Sequence, residues 1–331
     1  MNVGKEQLAE AVRRLRGGEP IGFPTETVYG LGAPALHAEA VTRLFEIKGR
    51  PSTNPLIVHV CDEAMAARLS RGWGGVAERL ARAFWPGPLS IVVPRSDEVP
   101  DVVTAGGATV CVRCPAHPVA LALIEALDEP LAGPSANRSG CVSPTTAEHV
   151  RVEFPGLFVL DGGPCRVGIE STVARVLDER VQVLRRGAVT PIQIEAAAGC
   201  RVDVLDAQLP EQEVAPSPGM LARHYAPRTS TLLVEQEELE DAVRRAGRCV
   251  LLVQTQQDAG SVSHSAPASI IAMPAAAEEY ARALYDALRR ADEMQMDRII
   301  VVRPRGRGDP ALWAAICDRL RRASIDESER A

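Results

Sequence analysis

Aromatic residues are scarce, at 4% of a 331-residue chain. The core must then be built mostly from Ala, Val, Leu and Ile, and stacking of bases on aromatic platforms has little to rest on. No apolar run is long enough to cross a bilayer. Residues 1–18 lack the apolar stretch of a signal peptide and read as an amphipathic, Arg-containing helix. Positive charge is not in excess either. The net charge of −6 argues against a uniformly basic DNA reader, though not against a local basic cleft. The eight cysteines (Cys61, Cys111, Cys114, Cys141, Cys165, Cys200, Cys249 and Cys317) show no disulfide framework, and a chain this long has no need of such staples. The expectation is a cytoplasmic protein with reduced thiols. Also missing are a GxxxxGK[ST] loop, a GxGxxG opening a helix, and any Ser/His/Asp or Cys/His arrangement for nucleophilic catalysis.

What is present is ordinary globular material, with 46% hydrophobic and 24% charged residues. At roughly 100–200 residues per domain, the length implies two domains. Helices are expected near residues 1–18, 38–47, 62–70, 76–84, 117–127 and 146–150, and strands near 20–24, 55–60, 89–93, 109–113, 157–160, 171–176 and 181–185. Short connections between mixed elements imply an α/β domain on one extended mixed sheet. From Leu209 the prolines at 210, 216, 218 and 227 break all periodicity, which reads as a linker over 209–229. Residues 230–331 then alternate strand and helix, with continuous apolar strands, as a small parallel β/α domain whose sheet is covered on both faces. The first domain is accordingly expected at 1–208.

Four segments gather chemistry. Lys48-Gly49-Arg50-Pro51 follows a helix end, where basic residues and a Gly cap the dipole; the sharper reading is a phosphate-binding pair. Gly133-Pro134-Ser135-Ala136-Asn137-Arg138-Ser139-Gly140 follows the apolar run 130–132 and is either an ordinary turn or an anion-binding loop. Pro24 to Gly30 and Gly168 to Val173 each set hydroxyls and one carboxylate at a loop–strand junction. His59 lies on an apolar strand, where a satisfied core histidine is the plain alternative to a ligand. Cys111-Val112-Arg113-Cys114 spells CxxC, but strand alternation sends Cys114 to the face opposite Cys111 and Arg113, and no second CxxC exists. The acidic run 235–241 reads as a solvated helix face.

Taken together and in order, PTETVYGLGA (24–33), KGRPSTNPLIVH (48–59), the T-x-x-x-R-x-P of 109–115, GPSANRSG (133–140), GIESTV (168–173) and LRRGAVT (184–190) closely resemble the threonylcarbamoyl-AMP synthases, which contain the YrdC-like domain. Ser217-Pro218-Gly219-Met220 and His224-Tyr225-Ala226-Pro227 resemble the signature before the C-terminal domain of the longer members. The resemblance implies a YrdC-like twisted mixed sheet with a concave, locally positive cleft, followed by a small Rossmann-like parallel α/β domain. It implies that L-threonine, bicarbonate and ATP give L-threonylcarbamoyl-AMP and pyrophosphate, with Mg²⁺ carried by the triphosphate. A separate transferase complex would then deliver the product to N6 of adenosine 37 of tRNA. Matched by motif position, Lys48 and Arg50 would neutralise phosphate and intermediate. Asn54, Thr109, Ser135, Asn137, Ser143 and Arg185 would meet the nucleotide, with Tyr225 folding over it from the linker. Thr27, His59, Arg113 and Ser171 would hold threonine, Arg113 pairing its carboxylate.

Two positions depart from the family pattern: Leu221 stands where a Lys is common, and Arg186 where a Pro is common. Two other readings remain open at this point. One is a module binding tRNA or double-stranded RNA in the same basic cleft, with salt-sensitive affinity. The other is a related carbamoyl-adenylate chemistry using carbamoyl phosphate, against which Thr27, His59, Ser171 and the C-terminal domain argue.

Overall fold

Helix α1 (Lys5–Arg16) buries Ala11, Val12 and Leu15 and ends at Gly17, as the helical spacing of its apolar residues predicts. It belongs to a computed structural model that describes residues 3–178, 180–205, 224–255 and 268–325. These fall into two compact units, the first formed by residues up to 139 and from 143 to 205, the second by 140–142 with 224–325. Most of the expected linker, 209–223, lies outside the described residues, and so do Leu221 and the 217–220 signature.

In the first unit, β1 (Ile21–Phe23) pairs antiparallel with β2 (Gly30–Pro34). Next come α2 (Ala38–Lys48), β3 (Ile57–His59), α3 (Glu63–Arg68), α4 (Gly75–Phe84), β4 (Leu89–Pro94), α5 (Asp101–Thr104) and β5 (Thr109–Arg113). The remainder is α6 (Pro118–Leu127), β6 (Leu131–Ala132), α7 (Ala147–Glu153), β7 (Thr172–Leu177), β8 (Arg180–Arg185), α8 (Pro191–Ala198) and β9 (Arg201–Val204). The nine strands form one mixed sheet in the order β1-β2-β6-β3-β5-β4-β7-β8-β9. Only β3–β5, β4–β7 and β8–β9 are parallel.

Three differences from the sequence reading have physical causes. Residues 30–34 form a strand although Gly-Leu-Gly-Ala-Pro is a poor strand sequence. The Phe23 ring lies so close that a Cβ at Gly30 would meet its Cε1 at 2.5 Å, so only glycine fits. The strand expected at 157–160 is a single parallel bridge between Gly22 and Val159. Helix α8 and strand β9 were not anticipated, although Thr190 caps α8 with a capping box to Gln193 and Pro191 opens it.

Alternation along the strands sorts two faces. Val58, Ile91, Val93, Val110, Val112, Ala174 and Val183 point into the main core, packed with α2 and α4. Ile57, Val92, Cys111, Val173 and Leu184 make a small cluster of their own. His59, Ser90 and Arg113 fall on that second face by the same alternation. Cys114 joins the main core, as expected of its place one residue past Arg113.

The second unit has a parallel four-stranded sheet in the order β10-β13-β11-β12, from β10 (Thr231–Val234), β11 (Cys249–Val253), β12 (Ala268–Ala272) and β13 (Arg298–Val302). Its helices are α9 (Leu239–Ala246), α10 (Ala277–Glu293) and α11 (Pro310–Ala323). A 3-10 turn over Gln236–Glu238 leads into α9. The strands are continuous apolar runs, β11 buried throughout, as a sheet covered on both sides demands.

Candidate active site

The loop after β1 is shaped by Thr25. Its hydroxyl accepts from the Thr27 and Val28 N–H groups (3.1 and 3.2 Å) and donates to the Val28 carbonyl (2.6 Å). The turn delivers Glu26 and Thr27 to Arg113, the last residue of β5. Arg113 is buried; its Nη1 donates to Thr27 Oγ1 (2.9 Å) and its Nε to the Gly87 carbonyl (3.2 Å). Nη2 stands 2.7 Å from Glu26 Oε1, but off the line of a hydrogen bond, so neither Glu26 oxygen nor Nη2 has a well-aligned partner.

His59 ends β3 and is the register partner of Arg113. Its Nδ1 meets no hydrogen-bond partner in the protein. Burial, then the Arg113 charge, lower its pKa to about 3, with the Leu131 carbonyl opposing. The ring is therefore neutral at ordinary pH. Gly133 must be glycine here: a Cβ would lie 2.9 Å from His59 Nδ1 and 2.8 Å from Phe23 Cζ. As pH falls, the unfolded chain takes up this proton near 6.5 and the folded protein only near 3. More protons are bound to the unfolded state across that window, so stability is intact above it and drains away as pH drops through it. Replacing His59 by Gln should flatten this acid limb in denaturant titrations run across the same pH range.

On the other side of Arg113, Ser90 Oγ and Ser171 Oγ lie 2.8 Å apart, both fully buried. Arg185, closing β8, donates from Nε to the Ser171 carbonyl (3.0 Å) and from Nη2 to its Oγ (3.1 Å). Ser143 donates to Glu170 Oε1 at 2.6 Å. Thr27, His59, Arg113, Ser171 and Arg185 thus come together at one end of β3, β5, β7 and β8.

The second set is stitched to the first by residues 133–137. Gly133 touches His59, Gly30 bridges Ser135, and Ala136 N–H donates to the Tyr29 carbonyl at 2.8 Å. Lys48 closes α2, with Gly49 in the left-handed conformation (φ 62°) as the cap. Its ammonium is buried and donates to the carbonyls of Ser135 (2.7 Å) and Asn137 (2.5 Å), with Asn137 Oδ1 at 3.4 Å. Arg50 donates to the carbonyls of Asn54 (3.1 Å) and Pro55 (2.9 Å). Asn54 is buried, yet both ends of its amide lack a partner in the protein. Leaving a buried amide without a partner costs roughly 1–3 kcal/mol, so a water or a ligand polar group suits this spot.

One expected residue of the first unit does not join this assembly. Thr109 stands at the opposite end of β5 from Arg113, about 13 Å away at the usual strand rise. It lines a separate depression of about 730 Å³ with Pro94, Arg175 and Arg180. Tyr225 belongs to the second unit, buried with φ 64°, stacked on Tyr285 (5.8 Å) under the Arg319 guanidinium (5.3 Å). Three residues of the site had no assigned role in the sequence: Glu26, Ser90 and Glu170. For Ser90 the signal was a hydroxyl inside the apolar run Leu89–Val93; for the two glutamates it was a lone carboxylate among hydroxyls.

Burial pushes the Cys111 thiol up to about 12, against the pull of Arg185, and raises Cys114 and Cys165 too. Among the described residues no group of three or more His, Cys, Asp or Glu side chains could hold a metal ion, and no helix is long and apolar enough to cross a membrane.

Comparison with known proteins bears on this geometry. A family model described as "Telomere recombination" (Sua5, YciO and YrdC) matches residues 13–187. One described as the C-terminal domain of threonylcarbamoyl-AMP synthase matches residues 189–324. The chain is similar to the threonylcarbamoyl-AMP synthase of Pyrococcus abyssi, with 41% identity over 322 residues, 94% of this chain and 92% of that one. It is equally similar to that of Bacillus subtilis, 41% identical over 333 residues, 98% and 94% of the two chains. The crystal structure of P. abyssi Sua5 complexed with L-threonine superposes with a TM-score of 0.88 at 37% identity, covering 98% of this chain and 96% of that one.

Proposed function

This chain belongs to the threonylcarbamoyl-AMP synthase family, and on that premise we propose that it makes L-threonylcarbamoyl-AMP and pyrophosphate from L-threonine, bicarbonate and ATP. The observation that carries the reading is the junction at residues 133–137, which sets the Arg113 group beside the Lys48 loop. Those two groups suit two anions that must be brought together although they repel.

Threonine binds through its carboxylate on Arg113, with Thr27, Ser171 and neutral His59 around the rest of the molecule. Its amine captures carbon dioxide from bicarbonate as a carbamate. A carbamate oxygen then forms a bond to the α-phosphorus of ATP while the α–β anhydride bond breaks and pyrophosphate leaves. No protein nucleophile takes part, so catalysis is positioning and charge neutralisation. Lys48 and Arg50 lend positive charge to the phosphates, and Lys48 also shapes the loop that presents Ser135 and Asn137. The orphaned Asn54 amide and Ser143, beside Glu170, face the nucleotide, and Arg185 links it to Ser171. Magnesium would offset the triphosphate charge, held mainly by phosphate and water oxygens as a hard cation prefers.

The product is an activated acyl adenylate, and a separate transferase complex would deliver it to tRNA. We place the reaction in the cytoplasm, a reading supported by eight cysteines spaced without a disulfide framework.

The test is pyrophosphate release from ATP. It should require threonine and bicarbonate together and fall to background when either is withheld. Release that ignores threonine in a folded sample would sink the reading.

A further inference from the structure

Glu26 is a charged residue of the site that the reaction above leaves unexplained. Its carboxylate is buried. Its backbone is fixed, since the Glu26 carbonyl accepts from Val167 N–H (2.8 Å) and the Thr27 carbonyl from Gly168 N–H (3.2 Å). It cannot move away without breaking the turn that also places Thr27. Its charge also acts on Cys114, Cys165 and His117. None of these is a cation: burial keeps the thiols protonated, and it holds His117 below its ordinary value. Arg113 is the cation it meets, at 2.7 Å and in poor alignment.

Arg113 has two of its N–H groups committed to Thr27 and Gly87. The guanidinium edge left for an incoming carboxylate includes Nη2, the edge Glu26 occupies. A ligand carboxylate therefore competes with Glu26. If it wins, a buried carboxylate loses its counter-charge, which is costly unless a new cation arrives with the ligand. An α-amino acid brings one, its ammonium, a bond away from the carbon bearing its carboxylate.

We propose that Glu26 is an exchangeable counter-ion: it holds Arg113 in the unliganded protein, yields that guanidinium to the threonine carboxylate, and receives the threonine ammonium in its place. One buried ion pair becomes two, and the exchange is open only to a ligand carrying both charges. Glu26 is thus the residue that selects an α-amino acid over a plain carboxylate. The inference rests on the threonine reading above and extends it.

The experiment compares L-threonine with 3-hydroxybutanoate, which is threonine without its amine. Calorimetric titrations are run on the wild type, Glu26→Gln and Glu26→Asp, with thermal unfolding as the folding control. The wild type should bind threonine far more tightly than the amine-free acid. In Glu26→Gln threonine should weaken roughly tenfold or more, the scale of a lost charged hydrogen bond. The amine-free acid should hold its affinity or gain, because its competitor for Arg113 is gone. Glu26→Asp should keep the preference for threonine. Equal weakening of both ligands in Glu26→Gln, or an unchanged ratio, overturns the proposal, as those results mean a structural brace. Should Glu26→Gln not fold, the wild type decides: equal affinity for the two ligands overturns it, and a preference for threonine kept by Glu26→Asp supports it. Wild-type protein that binds no threonine at all is a different failure, that of the function itself.

Discussion

Replacing Arg113 by Ala abolishes threonine binding and lowers the unfolding free energy by about 3–5 kcal/mol, the scale for removing one partner of a buried ion pair. The binding loss follows from the geometry: Arg113 is the cation at the end of β5, with Thr27 and His59 disposed around it. The stability loss has a separate origin, because the Glu26 carboxylate stays buried while its counter-charge disappears. The two effects can be pulled apart. Adding Glu26→Gln to Arg113→Ala removes the stranded charge, so much of the stability should return while threonine binding stays lost. Residues in direct contact couple, and the double variant should be well short of additive in denaturant unfolding. Calorimetry on the same samples reads the binding side. Wild-type threonine affinity in Arg113→Ala would remove the carboxylate assignment, whatever the stability does.

That pair also marks the limit of what the chain discloses before it folds. The helix ending at Lys48 and the strand ending at Arg113 follow from apolar spacing, and their ends carry the charges. The contact between Glu26 and Arg113 does not, since no local periodicity relates residues so far apart in the chain. Ser90 is similar: a hydroxyl in an apolar run signals a polar partner without saying which, and the partner, Ser171, comes from another strand. Strand β2 escaped for a different reason. Its residues carry weak strand preference, and what makes them a strand is the Phe23 ring lying over Gly30 and Gly32, a tertiary fact. Helix α8 was legible locally, in the Thr190–Gln193 box and Pro191. In the second unit, continuous apolar strands alternating with amphipathic helices left little to be misread.

Lys48→Met should reduce the rate of pyrophosphate release at limiting ATP by at least about a hundredfold, the cost commonly seen when one preorganised donor is lost from a charged site. The sequence offers two roles for Lys48, a helix-capping cation and a phosphate ligand. The structure adds a third. Gly49 does the capping, while the Lys48 ammonium is spent on the Ser135 and Asn137 carbonyls, and the Lys48 carbonyl accepts from Ser139 N–H at 2.9 Å. The ammonium holds the loop in shape. Methionine keeps the stem and removes the charge, leaving the Ser135 and Asn137 carbonyls without this donor. If the loop depends on this clamp, amide exchange at Ala136 and Ser139 should quicken in Lys48→Met together with the fall in rate. A slowed reaction with unchanged exchange would mean that Lys48 acts through its charge alone. Lys48→Arg should not rescue either readout, because a planar fork cannot direct its protons at two converging carbonyls as a compact ammonium does. Threonine binding, measured without ATP, should survive, since Arg113 is anchored through Thr27 and Gly87 and does not rely on Lys48.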